Sequence, residues 1–155
     1  ANRHATDFFA AVAAACGRLG RRALFLTGYP EQVPAGSPER ILTRRYAPLS
    51  AVLPRAAALV HHGGVGTMAQ GFAAGVPHLI MPMSFDQPDN ALRATRLGVA
   101  RWLSPPRFTP DRVTTALRTL LEDAGVARAA GETRERTRSV DGLGVVCDEV
   151  ERMAG

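Results

Sequence analysis

The stretch VHHGGVGTMAQGFAAGVP, residues 60–77, decides the fold. The apolar run AALVHH (57–62) reads as a buried strand and passes directly into Gly63 and Gly64. Residues 65–74 then read as a helix, closed by Gly75 and Pro77. A strand, a glycine turn and a helix in succession form the repeating unit of a parallel α/β sheet. The turn falls at the carboxyl end of the strand, where such sheets bind ligands. Backbone N–H groups without helical partners converge there, the glycines permit positive φ, and the helix end carries partial positive charge. Thr67 adds a hydroxyl. A diphosphate is the natural guest.

The rest of the chain repeats the alternation. Residues 6–19 are an amphipathic helix with Thr6 as its N-cap, Phe8, Val12, Ala15 and Leu19 on one face, and Gly20 beyond its end. ALFLTG (23–28) and ILTRRY (41–46) are strands joined by the loop YPEQVPAGSP. LSAVLPR (49–55) is a short helix stopped by Pro54, and HLIMPM (78–83) is a second apolar strand. The loop SFDQ leads to a helix over 88–97, with Gly98 at its C′ position, and VARWLS (99–104) is the last strand. Thr109, Pro110 and Asp111 start a helix that buries Val113, Ala116, Leu117, Leu120 and Leu121. Two more helices, over 125–138 and 141–153, complete a doubly wound parallel α/β sheet.

A chain of 155 residues suits a single domain over 1–155. With 46% hydrophobic and 21% charged residues and no apolar run long enough to span a bilayer, it reads as a soluble, cytoplasmic protein. It lacks both a signal-peptide pattern and an initial methionine, which reads as a fragment or a trimmed chain. Cys16 and Cys147 lie in apolar helical patterns and read as buried thiols. The net charge of +5 rests on arginine alone, because there is no lysine; a P-loop lysine and a lysine Schiff base are excluded. The arginines are interspersed with carboxylates and lack interleaved aromatics, which argues against nucleic acid as a partner.

Adjacent strand residues point to opposite faces, so His61 and His62 do not chelate one metal, and no HExxH, HxH or CxxC accompanies them. The serine of a GxSxG elbow is absent too. His61 reads as a core histidine. His62, at the strand tip beside the glycines, is placed to donate a hydrogen bond to a phosphate oxygen.

The longer string HHGGVGT, then GVP, then PMSFDQPDNA, with YAPLSAVL upstream, resembles the donor-binding signature of family-one glycosyltransferases of GT-B fold, in particular bacterial enzymes acting on lipids or natural products. The resemblance covers most of residues 6–153. It implies the Rossmann-like C-terminal domain of a two-domain enzyme, with helices on both faces of its sheet. A separate N-terminal domain would hold the acceptor. It further implies that His62, Gly64, Val65, Gly66 and Thr67 meet the diphosphate and that Asp86 and Gln87 hydrogen-bond the sugar, the alternative for that pair being a cap on the following helix. Tyr46 stands where the family has a tryptophan stacked on the base, and Ala47 offers backbone to a pyrimidine edge.

Two positions depart from the pattern of plant members: Leu49 replaces a glutamine, and Gln70 replaces a glutamate that grips the ribose. Both thymidine and uridine diphosphate sugars therefore stay open, with a lean toward thymidine. A larger departure is that the first, central strand of the family's sheet has no counterpart here, which leaves a gap to be filled by another chain or segment.

The family's reaction is an inverting, metal-independent displacement that moves a hexosyl group from the nucleotide sugar to an acceptor hydroxyl. No cofactor is implied beyond the donor substrate. The general base belongs to the N-terminal domain; His4, His61 and His78 have no motif support for that role, and His78 reads as structural. On this reading the chain alone binds nucleotide without turning over, and it meets a membrane only peripherally, where the acceptor is a lipid. A non-catalytic nucleotide-diphosphate-binding module and half of a sugar-nucleotide epimerase are the alternatives, and DQPDNA favours the transferase.

Overall fold

The computed structural model describes residues 5–35 and 39–154. Helix α1 spans Ala5–Arg18, so Thr6 lies within its first turn and is not its cap. Strand β1 (Ala23–Leu26) pairs in parallel with β2 (Ile41–Arg44), Ala23 opposite Ile41 and Leu26 opposite Arg44. Helix α2 (Leu49–Val52) tightens into a 3-10 turn over Leu53–Arg55, which contains Pro54. Strand β3 (Leu59–His61) follows, then α3 (Val65–Ala74), β4 (His78–Ile80), α4 (Gln87–Arg96) and β5 (Ala100–Trp102). Helices α5 (Pro110–Glu122), α6 (Ala124–Ser139) and α7 (Gly142–Ala154) complete the chain. Every expected element is present. The strands are shorter than their apolar runs, because pairing with a neighbour ends before the hydrophobic pattern does.

Strands β3, β4 and β5 form a second parallel sheet in that order, with His61 opposite Ile80 and Ile80 opposite Trp102. Alternation along β4 divides the core in two. Leu79 joins Phe9, Val12, Cys16, Val113 and Leu117 beneath α1 and α5, whereas Ile80 joins Met68, Ala91, Ala94 and Ala130 beneath α3, α4 and α6. Helices therefore cover both faces, as a parallel sheet requires. Burial of the Cys16 thiol pushes its pKa up.

The expected break in the sheet is present. The two-stranded and three-stranded sheets are separate, and consecutive residues of β1 (23–26) and of β3 (59–61) line one cavity of about 1370 Å³ between them. Lining by consecutive residues means that strand edges, rather than one face of a sheet, border this space. No described segment of the chain pairs with either edge.

Cys147 departs from expectation. Its helix does have an apolar stripe, but α7 buries none of its residues: Leu143, Val146, Val150 and Met153 are exposed, and so is Cys147. Periodicity identified the helix and its apolar side; it carried no information about what covers that side. Among the described residues, no helix is long and apolar enough to cross a membrane.

Candidate functional site

Two adjacent histidines leave β3 in different directions. His61 is buried against His78, while His62 is exposed; both border the cavity between the sheets. The backbone N–H of Gly63 donates to His61 Nδ1 at 3.1 Å, which fixes that nitrogen as an acceptor. His61 Nε2 must then carry the proton, and it donates to His78 Nδ1 at 2.9 Å. His78 Nε2 is left as a buried N–H without a partner among the described residues. Burial, with smaller contributions from His78 and His62, lowers the His61 pKa to about 3. Burial lowers that of His78 to about 4. Both rings are neutral around pH 7, and their chain of hydrogen bonds ends on the glycine turn. The sequence-based assignment of both residues to the core is thereby met.

Close approach explains the glycines. A Cβ on Gly64 would lie 2.8 Å from His62 Nε2, so the His62 ring folds over a residue that has no side chain. Gly63 has φ of +96°, and a Cβ there would meet Ile80 at 3.0 Å and the Gln87 carbonyl oxygen at 3.3 Å. The first intrahelical bond of α3 runs from the Met68 N–H to the Gly64 carbonyl. Among the described residues no acceptor meets the N–H groups of Val65, Gly66 or Thr67, and the Thr67 hydroxyl also lacks a partner. These donors and the exposed His62 make the end of α3 an anion cradle.

The remaining candidates lie on two sides of this turn. Tyr46, 79% exposed, and Ala47, whose backbone N–H and carbonyl have no described partner, border the same cavity as His62 and Thr67. Gln70, one helical turn beyond Gly66, is exposed, and its amide nitrogen reaches the Gly66 carbonyl at 3.5 Å. Most of the cavity is the space between the sheets; its rim is what joins the Tyr46 side to the cradle.

On the other side, Asp86 stands at the N-cap position of α4 yet caps no N–H; its carboxylate accepts from the Asn90 amide at 2.7 Å. Gln87 Oε1 accepts from the N–H groups of Met83 (2.8 Å) and Ser84 (3.2 Å) and so holds the loop together, and its amide nitrogen has no partner among the described residues. Phe85, immediately before Asp86, is 93% exposed at φ of +57°, a conformation that an aromatic residue rarely adopts. His4 lies outside the described residues. No group of three or more His, Cys, Asp or Glu among the described residues is placed to hold a metal ion.

Two residues escaped the sequence reading. Asn90 donates to both the Gly63 carbonyl and Asp86, and Phe85 adopts its strained conformation beside them. The i, i+4 spacing of Asp86 and Asn90 was a visible signal for the first; nothing local marked the second.

A parallel α/β domain with an anion cradle at a strand's carboxyl end, flanked by an acidic loop and an exposed aromatic, has the architecture of the C-terminal domains of GT-B glycosyltransferases. A family profile described as erythromycin biosynthesis protein CIII-like, C-terminal domain, matches residues 31–150. The chain belongs to that family. It is similar to O-mycaminosyltylonolide 6-deoxyallosyltransferase of Streptomyces fradiae, 35% identical over 150 residues that cover 94% of this chain and 35% of the relative. It is also similar to 3-alpha-mycarosylerythronolide B desosaminyl transferase of Saccharopolyspora erythraea, 32% identical over 120 residues, 75% of this chain and 28% of the relative. Among solved structures, glycosyltransferase VinC in complex with dTDP matches with a TM-score of 0.83 at 30% identity, over 96% of this chain and 37% of its own. The chain spans about a third of the length of these relatives.

Proposed function

We propose that this domain binds the donor, a thymidine or uridine diphosphate sugar, for an enzyme that transfers a hexosyl group to an acceptor hydroxyl. The unpartnered N–H groups of Val65, Gly66 and Thr67 at the start of α3, beside His62, carry this reading. They present positive charge and donors where a diphosphate would lie. Tyr46 and Ala47 then take the base, Gln70 the ribose side, and Asp86 and Gln87 the sugar. The likeness to VinC, solved with dTDP, leans the nucleotide toward thymidine.

In the reaction the acceptor oxygen forms its bond to the anomeric carbon from the face opposite the diphosphate. The bond from that carbon to the phosphate oxygen breaks, with inversion. The acceptor proton passes to a base of the N-terminal domain, and the electron pair of the broken bond stays on the nucleoside diphosphate. Stabilising that leaving charge falls to this domain. Backbone donors, Thr67 and His62 do so from fixed positions, by a route that involves no metal.

Calorimetric titration of the full-length protein with TDP and UDP tests the reading. Micromolar binding of at least one is expected, and His62→Ala should weaken the diphosphate by roughly 10-fold while changing nucleoside affinity little. Absence of binding by the folded protein to either nucleotide overturns it.

A further inference from the structure

Asn90 joins two parts of the site that are separate in sequence. Its amide nitrogen lies 3.0 Å from the carbonyl oxygen of Gly63 in the glycine turn and 2.7 Å from Asp86 Oδ2 in the loop before α4. A backbone carbonyl oxygen and a carboxylate oxygen both accept, so both amide hydrogens are committed to these two contacts. The contact to Asp86 is charge-assisted, and it is the only partner of that carboxylate among the described residues. The joint is tight on its backbone side as well, because Gly63 packs against the carbonyl and Cβ of Gln87.

We propose that Asn90 is a positioning residue that fixes the Asp86 carboxylate relative to the phosphate cradle and thereby sets the preference for a nucleotide sugar over the bare nucleoside diphosphate. In a nucleotide sugar the diphosphate and the sugar hydroxyls are covalently spaced. A carboxylate recognises those hydroxyls only if it is held at a matching distance from the cradle. Donation from Asn90 holds Oδ2, leaving Oδ1 to accept from a sugar hydroxyl. Without it, an exposed carboxylate on a flexible χ1 loses orientation, and the sugar contact weakens while the phosphate contacts remain. The inference rests on the donor-site reading above and adds to it the residue that couples the two subsites.

The test compares TDP with TDP-glucose, and UDP with UDP-glucose, by titration of the full-length protein. Wild type is expected to bind the sugar nucleotide more tightly than the bare diphosphate. Asn90→Leu, which keeps the volume and loses the donors, and Asn90→Asp, which keeps the shape and places a carboxylate against two acceptors, should each reduce that preference roughly 5- to 10-fold. Affinity for the bare diphosphate should stay within about 3-fold in both. Asp86→Ala should produce the same loss, and adding Asn90→Leu to it should change nothing more, because the two act as one unit. A purely structural role would instead weaken both ligands together and add to Asp86→Ala.

Parallel weakening, an unchanged preference, additivity, a wild type without preference in either pair, or the failure of both Asn90 variants to fold would each overturn the inference. If wild type binds neither TDP nor UDP, the donor-site reading falls with it. If wild type binds and only the Asn90 prediction fails, the donor site stands.

Discussion

The three-stranded and two-stranded sheets come from the same alternation of strand and helix, yet they bury their residues differently. All three residues of β4 are buried, whereas among the four of β1 and the four of β2 only Phe25 is. Strand β4 has a partner on each edge and helices on each face. Strand β1 has β2 on one edge and the cavity on the other, and among the described residues β2 pairs with β1 alone. A strand's apolar sequence therefore specifies its tendency to be buried; its neighbours decide whether it is. The glycine turn, with the unpartnered N–H groups at the start of α3, grows from the well-packed half, and the exposed Tyr46 follows the looser one.

Acid should strike the better-packed half hardest. The folded-state pKa values of His61 and His78, about 3 and about 4, lie below the ordinary histidine value. The unfolded chain takes up protons first as pH falls. Their stabilisation is complete above about pH 6.5 and is lost progressively as pH falls, by roughly 3 kcal/mol for each ring at pH 4. Urea denaturation midpoints at pH 7, 5 and 4 should show the fall, and His78→Gln should flatten it. An acid slope that this variant leaves untouched would break the contrast between the halves.

Gly71→Ala is next in size. Its Cβ would overlap the His78 ring at Cε1, between α3 and β4, and the expected cost is about 2–3 kcal/mol. Amide exchange should then separate the halves without mutation: the N–H groups of β4 should exchange at least about 10-fold more slowly than those of β1. Equal protection would mean that the two sheets open as one unit. The smallest effect is expected for Leu42→Ala on β2, where the side chain is half exposed and the change should stay within about 0.5 kcal/mol. A loss like that of Gly71→Ala would show the two-stranded half to be packed more tightly than its exposure indicates.

Much of the candidate site's geometry was legible because it is set locally. The run from His61 to Thr67 needs only a strand that ends, glycines that admit close approach and a helix that begins, and these signals are contiguous. Element boundaries were less legible. Asp123 caps α6 by accepting from the N–H groups of Gly125 and Val126, while Thr6 turned out to lie inside its helix. Cys147 shows the same limit on a larger scale, since an apolar stripe is readable and its partner is not.

The sequence by itself determined the alternating α/β order, the place of the glycine turn at a strand's carboxyl end, and the different fates of His61 and His62. Those follow from periodicity and from the conformations glycine allows. Only the tertiary structure decided that His78 supports His61, that Gly71 exists to admit the His78 ring, and that Asn90 bridges Gly63 to Asp86. Each of these depends on contacts between elements far apart in the chain, and no local pattern specifies which distant residue will arrive.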